Sequence, residues 1–388
     1  MNRLAIITTH PIQYYAPLFK LLNERNHADI KVFYTWGKNS VKKFDPAFGK
    51  NIDWDIPLLE GYDYEWAENI SPDPGSHHFK GIITPGLVGQ IKAYTPDAIL
   101  VFGWAYQSHL KVIRYFKNKV PVYFRGDSTL LDEQKGTRAI LKTIFLRWVY
   151  SHINHAFFVG TNNKAYYKKY GLKEKQLSFA PHAIDNQRFE VDRTDEVSIL
   201  RKSLGITTKN DILLLFAGKF EEKKAPELLL EAFLLLKKPN VHLLFVGNGA
   251  LENILRDKAG ENKNIHFMDF QNQSAMPVMY QACDLFCLPS QGPGETWGLA
   301  VNEAMACKKA IIVSDKCGCA IDLVKKGNGI IFKSRDITEL QSALATLTAD
   351  LALLIACGKK SKSIINDWSF ERIAVAIESQ LRTLNNKH

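Results

Sequence analysis

The sequence predicts an α/β protein with two doubly wound parallel sheets, one in each half of the chain. Three observations carry that prediction. Short apolar runs suited to buried strands alternate with helix-like stretches throughout. A chain of 388 residues suits two domains better than one. The runs also fall into two sets, separated by the polar segment 190–198.

In the first half strands are expected at 3–8, 30–34, 98–102, 121–124, 156–159 and 177–180. In the second half they are expected at 212–217, 242–246, 265–268, 285–288, 310–313 and 330–332. Residues 36–85, irregular and rich in Gly, Pro and aromatics, read as insertions over the first sheet. The expected domains are 1–190 and 191–370, with 371–388 a C-terminal helix packing back towards the first domain. Open parallel sheets bind ligands beyond the carboxyl ends of their strands, and two such domains facing each other would leave one cleft. The turns of interest therefore begin at His10, Gly103, Arg125, Gly218, Gly247 and Glu295.

Composition narrows the function classes. No apolar run is long enough to cross a bilayer, and the N-terminus reads as a first strand rather than a signal peptide. The chain is expected to be cytoplasmic, with a peripheral contact at the inner membrane face. Six cysteines, Cys283, Cys287, Cys307, Cys317, Cys319 and Cys357, form no C-x2-C pair. They read as small buried hydrophobes rather than metal ligands. The net charge of +10 is uneven, with 25 Lys+Arg against 17 Asp+Glu in residues 1–190. Such a basic half suits an anionic partner: lipid headgroups, a diphosphate-linked acceptor or nucleic acid. Residues 138–150 are apolar with spaced cations, as in a membrane-surface helix. The preferred expectation is a core helix with snorkelling Lys and Arg.

The densest signal is the stretch 284–307. An apolar run ends at Pro289-Ser290, a turn carries Gly292, Gly294 and Gly298, and good helix formers follow from Leu299. A strand, a Gly-rich turn and a helix start make an anion site, because the first helical N–H groups have no internal partner. Glu295 and Glu303 then stand ready to hold hydroxyls on either side of that anion. Alone, this E-x7-E reads more readily as a solvated helix residue and a carboxylate favouring the helix dipole. Upstream, the strand 212–217 runs into Gly218-Lys219-Phe220-Glu221-Glu222-Lys223-Lys224-Ala225-Pro226. Lys219 at the strand end and Lys224 at the helix start can converge on phosphate.

These segments, with LLFVGNGALE, YQACDLFCLPS, EAMACKKAIIVSD and GNGIIF in this order, resemble the C-terminal domain of retaining GT-B glycosyltransferases of family 4. The resemblance covers about residues 211–334, and 179–189 resembles that family's linker. It implies a GT-B fold, with two Rossmann-like domains facing across a cleft. It also implies transfer of a sugar from a nucleoside diphosphate-sugar to an acceptor hydroxyl with retention, in bacterial surface polysaccharide or glycoconjugate synthesis. Lys219, where the family usually has Arg, and Lys224 would neutralise the diphosphate beside Gly218; Ala225 replaces a frequent Gly. Glu303 would accept from the ribose and Glu295 from the donor sugar. Gly294 and the backbone of Thr296, Trp297, Gly298 and Leu299 would line the donor. Asp269, Phe270 and Gln271 would lie beside the nucleobase.

The first half departs from the general pattern. His10-Pro11-Ile12-Gln13-Tyr14 and Arg125-Gly126-Asp127-Ser128 resemble a subgroup marked by HPIQY and a later RGDS. Arg125 there takes the place of a His that other members direct at the donor sugar. His10, Arg125 and Asp127, with Glu295, are the candidates for contacting reacting groups. Gln13, Tyr14, Trp104 and His109 are acceptor-side candidates. Asp53-Trp54-Asp55 matches a metal-binding D-x-D but reads as a turn or edge-strand pair, so neither metal nor cofactor is expected. The expected partners are the nucleotide-sugar and a glycan or lipid-linked acceptor, with no nucleic acid. Alternative readings are a GT-B-like nucleotide-sugar epimerase, or a non-catalytic basic protein that binds membrane or nucleic acid.

Overall fold

A computed structural model describes residues 1–41, 43–45, 50–134 and 136–385, so residues 386–388 of the expected C-terminal helix lie outside the described set. The chain divides into two compact units. The first takes Met1–Lys43, Ile56–Pro181 and the chain from Phe370 onward. The second takes His182–Ser369 together with the described residues of Phe44–Asp55. The division at Pro181 precedes the polar segment 190–198, whose residues fold into the second unit.

Among the described residues nine strands lie before the division: β1 (Asn2–Thr8), β2 (Ala28–Tyr34), β3 (Lys43–Asp45), β4 (Lys50–Ile52), β5 (Asp63–Trp66), β6 (Ala98–Phe102), β7 (Val122–Arg125), β8 (His155–Phe158) and β9 (Leu177–Phe179). Seven form one sheet in the order β5-β2-β1-β6-β7-β8-β9, while β3 and β4 pair separately. Among the described residues, every pairing in the large sheet is parallel. Its centre is buried on both faces, with Leu4 to Ile7 and Ala98 to Val101 inaccessible, which is why those segments read as unbroken apolar runs. The edge strand β5 was not expected. It alternates Asp63 and Glu65 with Tyr64 and Trp66 on a half-exposed edge, so it lacks the apolar continuity of its neighbours.

The helix Phe370–Asn385 packs within this first unit. Its Glu378 is buried and takes both ends of the Arg25 guanidinium, at 2.6 and 2.8 Å. The Asn2 amide donates to the carbonyl of Leu381 at 2.9 Å. The helix Thr137–Tyr150 corrects an expectation. Only Leu146, Val149 and Tyr150 enter the core, and its other large apolar side chains face outward. Snorkelling does not describe it, because the apolar face is the exposed one.

The second unit holds β10 (Ile212–Ala217), β11 (Val241–Val246), β12 (Ile265–Met268), β13 (Leu285–Leu288), β14 (Ala310–Ser314) and β15 (Gly329–Phe332). All run parallel, in the order β12-β11-β10-β13-β14-β15. Chain direction across the sheet reverses between β10 and β13, a topological switch point where crossovers leave on opposite sides and open a crevice. Leu214, Phe216, Leu243, Phe245, Cys287 and Ile312 form part of one core cluster beneath it. All six cysteines are buried thiols, as expected. Among the described residues no single helix is long and apolar enough to cross a membrane.

Candidate functional site

At the switch point of the second sheet, two loops are tied together. The loop after β10 forms a 3-10 turn at Glu222–Lys224 and ends at Ala225, whose φ of 50° is left-handed. Pro226 then opens the helix Pro226–Leu236, its fixed φ suiting the first turn. The loop after β13 is held against this one: the Gln291 N–H donates to the Lys223 carbonyl at 2.8 Å, and the Gln291 side chain donates to Glu222 at 2.8 Å. This stitching brings the Lys224 ammonium 2.6 Å from a Glu295 carboxylate oxygen. The same oxygen accepts from the Ser290 hydroxyl at 2.9 Å. Burial disfavours the charged form of Lys224, but the adjoining carboxylate outweighs it and holds the ammonium above the ordinary lysine range. Gly218 borders this cluster, since a Cβ there would lie 3.9 Å from the Lys224 stem. Lys219 is half-buried at the end of β10.

The Glu295 loop leads into the helix Leu299–Ala306 through Gly298, whose φ of 99° and 2.8 Å approach to Leu288 exclude a side chain. This helix start has no side-chain cap and no acidic residue in its first turn, leaving its dipole and N–H groups suited to an anion. The carbonyls of Glu295 and Trp297 accept from the N–H groups of Gly318 and Cys319, at 3.1 and 3.0 Å. Gly318 permits this approach, because a Cβ would fall 1.7 Å from the Thr296 carbonyl oxygen. Trp297 is buried, donates to Asn302 at 2.9 Å and packs 5.1 Å from Trp368. Its ring therefore braces the loop. Glu303 is buried one helical stretch later and accepts from the Tyr280 hydroxyl at 2.8 Å.

Beyond β12, Asn248 clamps the 269–271 turn. Its amide nitrogen donates to Asp269 at 3.0 Å, and its oxygen accepts from the Phe270 N–H at 2.9 Å. Gln271 donates to the Asp269 carbonyl at 3.0 Å. The D-x-D segment docks nearby. The Asp53 carbonyl accepts from Asn272 at 2.7 Å, Asp55 accepts from the Ser274 N–H at 3.1 Å, and Trp54 lies 6.3 Å from the Phe270 ring. Among the described residues, the group close enough to share a cation is Asp73, His77 and His78, in the loop after β5.

The first unit treats its candidates differently. His10, at the carboxyl end of β1, bonds through Nδ1 to Thr9 Oγ1 at 2.9 Å and meets the Trp36 ring edge-on at 4.9 Å. Gln13 and Tyr14 follow on the same partly exposed turn. Asp127 stands near Tyr15, whose phenol is raised first by burial and then by that carboxylate. The Arg125 guanidinium is buried and donates to the carbonyls of Ala180 and Pro181, each at 2.7 Å, while its Nε has no hydrogen-bond partner among the described residues. It positions the end of the first unit rather than presenting a charge to a ligand. His109 is also withdrawn. Nδ1 lies 2.8 Å from the Gly103 carbonyl and Nε2 lies 2.8 Å from the Thr35 hydroxyl. Both nitrogens are engaged inside the fold, so His109 has none for an acceptor. Trp104 stacks edge-on with Phe145 at 5.5 Å.

Sequence reasoning missed Ser290, Tyr280, Asn248 and Asn302. Ser290 and Asn248 stand at strand ends beside the flagged turns, and that placement was a usable signal. Tyr280 and Asn302 act through contacts that only the packed chain creates.

Fold and geometry together define the class: a two-domain α/β protein of the GT-B type, with an anion-suited site at the switch point of its second sheet. Residues 198–364 match the family model described as glycosyl transferases group 1. Among curated relatives, the chain is 25% identical over 223 residues to a GDP-mannose-dependent monoacylated alpha-(1-6)-phosphatidylinositol monomannoside mannosyltransferase of Corynebacterium glutamicum, covering 53% of this chain and 58% of that protein. It is 27% identical over 228 residues to the N,N'-diacetylbacillosaminyl-diphospho-undecaprenol alpha-1,3-N-acetylgalactosaminyltransferase of Campylobacter jejuni, covering 53% and 54%. The chain thus spans little more than half the length of these relatives. The crystal structure of Anabaena HepE with UDP and glucose superposes with a TM-score of 0.72 at 19% identity, covering 99% of this chain and 100% of that one. That likeness is one of fold.

Proposed function

We propose that the chain transfers a sugar from a nucleoside diphosphate-sugar to an acceptor hydroxyl with retention of configuration, in the assembly of a bacterial surface polysaccharide or glycoconjugate. The observation that carries this reading is the Lys224–Glu295–Ser290 cluster at the switch point of a Rossmann-ordered sheet. The group 1 match over the same segment supports it.

Charge builds on the diphosphate as the glycosidic bond breaks. Lys219, Lys224 and the uncapped start of the helix Leu299–Ala306 meet that charge. An ammonium has three N–H donors, so Lys224 can keep Glu295 while reaching a phosphate oxygen. Glu295 holds donor-sugar hydroxyls, and Glu303, oriented by Tyr280, accepts from the ribose. The nucleobase lies along Asp269–Gln271, a turn fixed by Asn248. With these cations in place the reaction is proposed to need no metal. The acceptor oxygen attacks the face that the diphosphate leaves, and the departing phosphate oxygen takes the acceptor proton. His10, Asp127, Gln13, Tyr14 and Trp104 are assigned to the acceptor side. The nucleotide in the HepE structure supports a nucleoside diphosphate donor. The acceptors in the two relatives' names support a glycan or lipid-linked acceptor.

The test is a thermal-shift panel of UDP-, GDP-, ADP- and dTDP-sugars on the wild type and Glu303→Ala. A donor response that the variant loses supports the ribose role, and an unchanged response removes it. NMR of the product then reads the anomeric configuration, and an inverted product refutes retention. Release of an isomerised sugar without acceptor would instead make the protein an epimerase.

A further inference from the structure

The helix Thr137–Tyr150 carries an apolar stripe that the fold leaves uncovered. Ile140 is 63% exposed, Leu141 68%, Ile144 63%, Phe145 41% and Trp148 40%. Their spacing places all five on one side of an α-helix. Leu146, Val149 and Tyr150 bury the opposite side in the core, so the helix is fixed with its apolar stripe outward. The aromatic part of the stripe is ordered: Phe145 lies 5.7 Å from Trp148 and 5.5 Å from Trp104.

Charge decides what covers this stripe. The helix contains no acidic residue, and Arg138, Lys142 and Arg147 are exposed along it. Arg114, from the neighbouring helix Gln107–Phe116, lies 5.4 Å above the Trp148 ring. Exposed aliphatic and aromatic side chains flanked by cations complement an anionic bilayer surface, where the apolar groups enter the acyl boundary and the cations meet headgroup phosphates. Trp and Tyr rings settle at that same depth. Residues 1–190 supply the wider field, with 25 Lys+Arg against 17 Asp+Glu. The stripe also reaches Trp104, just past the carboxyl end of β6. In the first sheet β1 and β6 are the neighbours at the switch point, so a bilayer on this stripe lies beside that sheet's ligand-binding end.

We propose that this face docks the protein onto an anionic lipid bilayer. The inference rests on the first unit's surface alone and stands whatever sugar donor the second unit takes. Flotation with vesicles of phosphatidylcholine, with and without about 30% phosphatidylglycerol, tests it. The wild type is expected to float with anionic vesicles, at least about tenfold more than with neutral ones, and less so at high salt. Trp148 fluorescence should shift to the blue on binding. The triple variant Ile140→Ser, Leu141→Ser, Ile144→Ser should melt as the wild type does, because these side chains are exposed, yet lose flotation. The pair Lys142→Glu and Arg147→Glu should abolish the preference for anionic lipid. The proposal fails if the wild type does not float, or if the triple variant floats equally well. It also fails if sedimentation shows a wild-type dimer that the triple variant dissolves while neither protein binds vesicles.

Discussion

In the first unit polar side chains hold the backbone, and in the second the backbone holds charged side chains. Arg125 ends β7 and His109 lies in the helix that follows β6, on the side where an open parallel sheet presents ligand groups, yet both turn inward onto main-chain carbonyls. Around β10 and β13 the order is reversed. A left-handed Ala225, a left-handed Gly298 and a cross-loop stitch through Gln291 bring Lys224 and Glu295 to 2.6 Å. The difference lies in whether the partner is backbone, which is satisfied, or another side chain that a ligand can share.

The largest effect that sharpens this contrast is expected from Lys224→Ala. It removes the cation proposed to meet a leaving diphosphate and takes the ammonium from Glu295, which keeps the Ser290 hydroxyl. We expect kcat/KM for the donor to fall about 10³-fold, equivalent to about 4 kcal/mol in the transition state. Steady-state kinetics read it, and a loss below about tenfold would break the second-unit half of the comparison. Arg125→Ala should do the opposite. Two charged hydrogen bonds to buried carbonyls disappear, costing about 3 kcal/mol in urea unfolding, while the folded protein keeps the rate of the proposed transfer to within about tenfold. An Arg125→Ala protein as stable as the wild type but inactive would restore Arg125 to the reacting groups.

How much of this was legible in the sequence follows from the same contrast. Strands buried on both faces announce themselves as apolar runs, so β1, β6, β10, β11 and β13 were readable and their carboxyl-end turns with them. The half-exposed β5 was not, because Asp63 and Glu65 interrupt its apolar residues. The run 138–150 was read as core from its composition, but composition does not say which side of a helix faces in. Lys224, Glu295 and Glu303 stand out only through the family resemblance, since their spacing alone suits a charged loop and a solvated helix face. Tyr280 and Asn302 were not, since each acquires its partner only when distant segments meet. For Arg125 and His109 the sequence gives the neighbourhood of β7 and β6 but not the inward direction of the side chains, which depends on χ angles that sequence does not carry.

His109 offers a smaller effect, read by pH. Burial keeps its imidazole neutral, lowering its pKa from 6.5 to about 4 in spite of the hydrogen bond to Gly103. The unfolded chain therefore takes up a proton that the folded chain refuses. The stabilising contribution is fully present above about pH 6.5 and is lost as pH falls towards about 4. Between about pH 7 and pH 5 the loss is about 2 kcal/mol. Unfolding curves of the wild type and His109→Gln should converge by that amount as pH falls. His155 and His266, both lowered to about 4 by burial, contribute the same slope to both proteins and cancel. Parallel pH profiles would mean that His109 is solvated and open to a ligand after all.

The smallest effect tests whether backbone strain is what places Lys224. Ala225 holds φ 50° and ψ 47°, a left-handed conformation that costs an alanine about 1 kcal/mol and a glycine almost nothing. Ala225→Gly relieves that cost but enlarges the unfolded ensemble, which returns about half of it. A net stabilisation of about 0.5 kcal/mol is expected, read as a rise in the urea midpoint at unchanged slope. Because the turn keeps its shape, Lys224 should stay on Glu295 and donor affinity should stay within about twofold. A weaker donor response with higher stability would instead show that alanine's stiffness, rather than the left-handed turn itself, aims the lysine. The second unit would then share the first unit's rule, in which a side chain fixes the main chain.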